Sequence, residues 1–287
     1  MVTQHSPTLR LRRLATMLRQ NREKAGYTTS QVGKKLGWSA GKVSKMETTE
    51  TKRITSADLD KLLELYKVED GGTRQVMHAL ARDAKERGWW SKYKEVFGAQ
   101  ALPDFEAEAS VIRSFEALCI PGLLQTREYA EALFQGGRYL SEDEVRRRLD
   151  FRMARRDILT KYPPVQLRVV VDEAVLHRMI GNRQIMHDQL QYLLYMAQLP
   201  NIDIQMLPYE AGAHAALAAP FAILEFPEPL DTPVVYVGTI TASLFLEEAG
   251  DIDQYNATFG AVQGSALDPA RSAAFIASVA SSLESQT

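Results

Sequence analysis

The sequence predicts an all-α helix-turn-helix head of five helices followed by an α+β domain. Through residue 88 the apolar residues recur at helical spacing between recognisable caps. Two helices of that stretch are short and joined by a glycine-containing turn, the geometry of a helix-turn-helix. Beyond Gly88, runs rich in β-branched residues alternate with helical periods, as mixed structure requires. The expected organisation is a head over residues 1–70, a connecting helix over 71–88 and an α+β domain over 89–287.

Leu11, Leu14, Ala15, Met17 and Leu18 line the first helix through Arg22, and Gly26 follows where a C-cap belongs. Thr28 caps the second helix with Gln31 three residues on, a capping-box pair; Val32 and Leu36 give its buried face and Gly37 ends it. Trp38 fills the turn, and Ser39 caps a third helix over Ala40–Glu47 whose Val43 and Met46 face inward. Ala40, Gly41, Lys42, Ser44 and Lys45 are left outward, small or basic with no acidic group among them. Small residues let a helix backbone approach base edges in the major groove, while lysine reaches guanine acceptors or phosphate. Ser39 and Thr29, at the starts of their helices, and Lys52 and Arg53, in the following loop, are the expected phosphate contacts. Thr55 and Asp58 cap a fourth helix lined by Leu59, Leu62, Leu63 and Tyr66. Gly71 and Gly72 then break the chain before a fifth helix, Thr73–Arg87, built on Val76, Leu80 and Ala84.

The formal net charge of −2 over 287 residues conceals a strong polarity. Residues 1–53 hold 12 basic and 3 acidic residues, whereas from Gln184 onward Arg271 is the single basic residue against 12 acidic ones. A basic head on an acidic body is the footprint of nucleic-acid binding by the head. A single cysteine, Cys119, excludes an intramolecular disulfide and any multi-cysteine metal centre, and fits a reducing cytoplasm. The apolar runs fall short of the roughly 18 residues a membrane span needs, and no apolar stretch follows Met1–Thr8, so neither a span nor a secretory signal is expected.

Taken together, Leu18, Arg22, Ala25-Gly26-Tyr27-Thr28, Val32-Gly33, Leu36-Gly37, Ser39 and Val43-Ser44-Lys45-Met46-Glu47 resemble the Cro/repressor-type (XRE-like) helix-turn-helix domain. That resemblance implies a lambda-repressor-like five-helix fold and DNA binding. Gly33 stands where that family usually has alanine, at a cost of about 1 kcal/mol in helix propensity. Ala40 and Gly41 lack the long side chain many relatives use to read bases, which leaves Lys42 and Lys45 for direct readout.

In the tail, the spacing predicts a helix over Pro103–Leu118, a Pro121–Thr126 turn and a helix over Arg127–Phe134 capped by Thr126. A long helix from Glu142 to about Lys161 carries six arginines among its acidic residues and reads as solvated or partner-facing, with a second nucleic-acid surface as the alternative. Strands are expected at Val165–Val171, Ile202–Leu207, Phe221–Phe226, Val234–Val237 and Ser243–Leu246. Helical periods cover Glu173–Ile180, Gln184–Gln198, Asp251–Gln263 and Pro269–Leu283.

Trp89-Trp90, Glu106-Ala107-Glu108-Ala109, Pro121-Gly122-Leu123-Leu124-Gln125-Thr126, Tyr129-Ala130, Asp172-Glu173-Ala174, Pro200-Asn201-Ile202, Gly212-Ala213-His214 and Val235-Tyr236-Val237 resemble the C-terminal domain of WhiJ-like regulators of actinomycetes, a domain of unknown function. The resemblance implies a developmental transcriptional regulator, often paired with a small partner protein that tunes its DNA binding.

Catalysis is not expected. Cys119 lacks a nucleophile motif and, between Leu118 and Ile120, reads as a buried apolar filler. The five histidines are scattered, with neither His177 nor His187 set opposite a carboxylate at helical spacing, so no metal site is expected. Asp172-Glu173 reads as helix capping more simply than as an acid/base pair, and no phosphate-cradling glycine loop is present, so no cofactor is expected. A binding role remains, with Trp89, Trp90, Tyr93, Leu123, Gln125, Tyr129 and His214 as its candidates.

The sequence therefore reads as a cytoplasmic, nucleoid-associated repressor-type regulator. It is expected to bind inverted repeats in double-stranded DNA as a homodimer, with a small acidic partner protein or a small-molecule effector acting on the tail. Two other readings stand beside it. One is a receptor or enzyme whose helix-turn-helix is only a docking module; the other is an interaction protein of a two-component pair.

Overall fold

A computed structural model describes residues 9–51, 53–84, 102–136, 140–228, 231–239 and 242–284. The chain divides into two compact units, the second running from Glu106 onward. No helix among the described residues is long and apolar enough to cross a membrane.

The first unit consists of α1 (Leu9–Lys24), α2 (Thr29–Leu36), α3 (Ala40–Glu47), α4 (Ser56–Leu65) and α5 (Gly71–Asp83). Its termini follow the capping chemistry of the sequence. Thr28 and Gln31 form the reciprocal capping box of α2, and Gly37 closes that helix in the left-handed region at φ 68°. Ser39 accepts from the Lys42 amide to start α3, and Thr55 accepts from the Asp58 amide to start α4. Gly71 and Gly72 do not break the chain. They form the first turn of α5, because Asp70 accepts from the Thr73 amide and supplies the cap. The buried face of α5 is Met77, Leu80 and Ala81, one position on from the expected Val76, which is 48% exposed. These residues join Leu14, Leu18, Val32, Val43, Met46, Leu59, Leu62 and Leu63 in one core. The segment expected as a connector is thus packed into the head.

One polar group interrupts that apolar core. Arg22 of α1 donates from Nε and Nη2 to the two carboxylate oxygens of Glu47, each at 2.8 Å, and from Nη1 to the Tyr27 carbonyl at 2.7 Å. Only 11% and 6% of the two side chains remain exposed. The pair ties the end of α3 to α1.

The second unit is built on a six-stranded sheet of β1 (Val111–Glu116), β2 (Gln166–Asp172), β3 (Ile202–Leu207), β4 (Phe221–Glu225), β5 (Val234–Gly238) and β6 (Ser243–Leu246), in the order β3-β2-β1-β4-β5-β6. β1, β2 and β3 are parallel, while β4, β5 and β6 run antiparallel to their neighbours. α6 (Leu102–Glu108) runs across the division between the units in sequence, and the helices of the second unit are α7 (Arg127–Gln135), α8 (Glu142–Arg155), the short α9 (Ala174–His177), α10 (Arg183–Met196), α11 (Ala249–Ser265) and α12 (Pro269–Glu284). Phe115, Val170, Phe221, Ile223, Val235 and Val237 pack against Ile252, Phe259 and Val262 of α11 on one face.

The expected helix over Pro103–Leu118 is corrected. The chain ends a short helix at Glu108 and enters β1, a central strand paired on both sides. Its alternation is masked because Ile112 and Ser114 on one face and Phe115 on the other are all buried. The helix expected to Lys161 stops at Arg155 and tightens to a 3₁₀ turn over Arg156–Leu159, and the period read over Glu173–Ile180 is helical only at Ala174–His177.

The Arg22–Glu47 pair yields a stability prediction. Arg22→Ala leaves a carboxylate buried without its partner and is expected to cost about 3 kcal/mol or more in urea unfolding of the head. Arg19→Ala, which removes the exposed Arg19–Glu23 pair on the same helix, should leave the transition where it is. Equal midpoints for the two variants would show that the buried pair contributes no more than the exposed one.

Candidate functional site

In the head, the turn between α2 and α3 sets the angle of the outward helix. The Trp38 amide donates to the Gly33 carbonyl at 2.8 Å. A Cβ on Gly33 would lie 2.8 Å from the Trp38 carbonyl oxygen and 3.2 Å from the Ala40 nitrogen. Gly33 is therefore a point of close backbone approach as well as a departure from helix propensity. Ser39, Ala40, Gly41 and Lys45 are exposed on α3, and Ser44 is half-buried beside them. Thr29 is half-buried at the first turn of α2, Arg53 is exposed, and Lys52 lies outside the described residues.

Lys42 differs from Lys45 in its surroundings. Its ammonium sits 3.0 Å from Asp58 of α4 and 3.9 Å from the centre of the Trp38 ring. An anchored, partly neutralised lysine is a weaker lure for phosphate than a free one. Lys45 is the exposed cation of α3, and the face it shares with Ala40 and Gly41 is shallow enough for a helix to seat deeply in a groove.

The tail candidates separate into three groups. Trp89, Trp90 and Tyr93 lie outside the described residues. Leu123, Gln125 and Tyr129 are buried and serve the interior: Gln125 donates to the Ile120 carbonyl at 2.7 Å, and the Tyr129 hydroxyl accepts from the Ile120 amide at 3.2 Å. His214 sits on the α11 side of the sheet, its ring edge-on to Phe115 at 5.3 Å and its Nε2 3.9 Å from Asp172. Asp172 caps α9 by accepting from the Ala174 amide at 2.8 Å. His177 does meet a carboxylate at four-residue spacing, Glu173 at 3.3 Å, which corrects the sequence reading. Among the described residues no group of three or more His, Cys, Asp or Glu could hold a metal ion.

Sequence reasoning missed a polar cluster at the carboxyl end of β1. The arginines of α8 are not uniformly solvated: Arg155 donates to both oxygens of Glu106, at 2.8 and 2.6 Å, and Arg152 donates to the buried Gln125 side chain. Glu116, the last residue of β1, faces them. It keeps some contact with solvent, yet burial pushes its carboxyl up to about 8 against the opposing pull of Arg152 and Arg155. Cys119 is half-buried, and burial, and next the Glu116 charge, push its thiol up. The i, i+3 spacing of Arg152 and Arg155, which puts both on one helix face, was the available signal.

Comparison with known families bears on both units. Residues 13–76 match the family described as a helix-turn-helix domain, and residues 99–278 match the one described as a domain of unknown function (DUF5753). No curated protein and no solved structure matches the chain.

Glu116 gives this site a pH signature. Its folded-state pKa is raised, so its proton stabilises the folded state fully below the ordinary carboxylate range, and that contribution is lost as pH rises through about 8. Glu116→Gln stays neutral, so in calorimetric scans its Tm should gain on the wild type between about pH 5 and about pH 9. A constant difference across that range would show that Glu116 titrates as an ordinary surface carboxylate.

Proposed function

Because the chain belongs to the DUF5753 family and carries a helix-turn-helix domain ahead of that segment, we propose that it is a sequence-specific DNA-binding transcriptional regulator of the WhiJ-like, actinomycete developmental type. The supporting observation is the presentation of α3. Caps fix its start, Arg22 fixes its end, and its outward face offers Ala40, Gly41 and Lys45. In this reading α3 enters the major groove, while Thr29, Ser39, Arg53 and Lys52 hold phosphates on either side.

One such helix reads only a few base pairs, so the working form is a homodimer on inverted repeats with half-sites about one helical turn apart. The tail dimerises, binds a small acidic regulatory protein or an effector, or does both, and thereby tunes a repressor located with the nucleoid in the cytoplasm. The shifted carboxyl of Glu116 among the arginines of α8 favours a second reading, in which the tail is a receptor or enzyme and the helix-turn-helix its docking module.

Incubating the protein with sheared host genomic DNA at low and near-physiological salt, then sequencing what is retained, tests the proposal. A discrete two-fold site that survives the higher salt is expected, since purely phosphate-driven binding fades as counterion release loses its driving force. No enrichment at either salt would defeat it. On that site, Lys45→Ala should cost roughly 1–3 kcal/mol, and Lys42→Ala less because Asp58 already holds its charge. Lys52→Ala should weaken all sequences alike and lower the salt slope by about one. Equal losses on specific and random DNA for Lys45→Ala would remove it from base readout.

A further inference from the structure

Among the described residues of the second unit, Arg113, Arg152 and Arg155 are all partly withdrawn from solvent, and Arg113 and Arg155 are answered by carboxylates. Arg155 takes both oxygens of Glu106, and Arg113 pairs with Glu225 and donates to Asn256 at 2.7 Å. Arg152 has no such partner: among the described residues no carboxylate stands within ion-pair distance of it. Its Nη1 donates to the neutral Gln125 side chain, and its guanidinium lies 4.6 Å from the centre of the Phe134 ring. It is also held in place. Gln125 is fixed by its bond to the Ile120 carbonyl, and a Cβ on Gly122 would stand 3.9 Å from Arg152 Cζ and 3.9 Å from Arg155 Nη1. An arginine immobilised with most of its five donors uncommitted is the arrangement that receives a planar oxyanion.

The surroundings agree. Arg152 and Arg155 of α8 act on Glu116; Cys119 and Tyr129 feel Arg152 and Arg178, and Arg155 feels Glu106 of α6 and Tyr236 of β5. Glu106 is engaged by Arg155, which leaves Arg152 facing Glu116 without an ion-paired carboxylate of its own. Glu116 makes no hydrogen bond or ion pair among the described residues. The position is also the one where open α/β sheets collect ligands, at the carboxyl end of a parallel strand beside which the chain changes direction, here between β2 and β4 on the two sides of β1.

We propose that this cluster is a binding site for a small oxyanion, an organic carboxylate or a phosphate, seated on the guanidinium of Arg152. Near neutral pH Glu116 holds its proton and donates to the anion; once ionised it competes for Arg152, so affinity falls as pH rises. The site rests on, and deepens, the effector part of the regulator reading. The test below involves no DNA, so its failure removes the anion site and leaves the DNA-binding reading untouched.

Cys119, the chain's only thiol, lies within the cluster and reports on it. The full-length protein is alkylated with iodoacetate and, separately, with iodoacetamide, and the ratio of rates is compared with that of N-acetylcysteine in the same buffers. Both reagents need the thiolate, so the ratio cancels its abundance and reads attraction of the anionic reagent. Near pH 7 the protein's ratio should exceed that of the free thiol by roughly tenfold, and it should fall toward it by about pH 9.5. Glu116→Gln should keep the excess and lose its pH dependence, and Arg152→Gln, checked for native circular dichroism, should lose the excess. Succinate or inorganic phosphate should slow iodoacetate on the wild type, and whichever protects names the class. A wild-type ratio at or below the free thiol's, with no protection by either anion, overturns the proposal, as does a full excess in folded Arg152→Gln. The wild-type measurements decide the matter even if that variant does not fold.

Discussion

A guanidinium taken out of water must meet a carboxylate, and the organisation of both units depends on that constraint. In the head, Arg22 reaches across the core to Glu47 and fixes where α3 ends. In the second unit, Arg155 reaches Glu106 and ties α8 to the segment that leads into β1, and Arg113 reaches Glu225 between neighbouring strands. Each pair joins elements far apart in sequence. Each therefore orients one element against another as apolar packing alone does not, because a slipped register would strand a charge.

The functional surface of the head follows from this. A recognition helix is useful only if its angle is set before DNA arrives, and α3 is fixed at three points. Ser39 caps its start, the glycine-lined contact between Gly33 and the Trp38 backbone sets its entry, and Glu47 is held at its exit. What faces solvent is then almost featureless, a stretch of small residues with the exposed Lys45. Such a surface gains affinity from closeness to the groove more than from many side-chain contacts, and Asp58 trims it further by engaging Lys42.

In the second unit the same constraint marks the exception. Arg152 has a neutral partner and an aromatic ring where Arg155 and Arg113 have carboxylates. Of the two carboxylates that act on it, Glu106 is committed to Arg155, and Glu116 is held where burial resists its ionisation. In the proposed reading, a charge that the fold positions but does not neutralise is the one an outside anion meets, and this separates the cluster from the cleanly satisfied interior around Gln125 and Tyr129.

The sequence alone determined the head almost residue by residue, since caps, left-handed glycines and helical periods are local and each states its own geometry. Thr28 with Gln31, Gly37, Ser39 and Thr55 act in the structure as their spacing requires. It also placed β3 and β6 within their bounds and the other late strands to within a residue, because their β-branched runs stand between turn residues. Only the tertiary structure turned Val111–Glu116 from the end of a helix into the centre of a sheet, for a strand buried on both faces has no alternation to read. Likewise it alone showed that α5 belongs to the head core, that Lys42 is committed to Asp58, and that Arg155 and Arg152 of one charged helix have different fates. Those outcomes depend on which residue lies opposite across tens of positions of chain, and a side chain's partner at that distance is fixed by the packing of the whole fold.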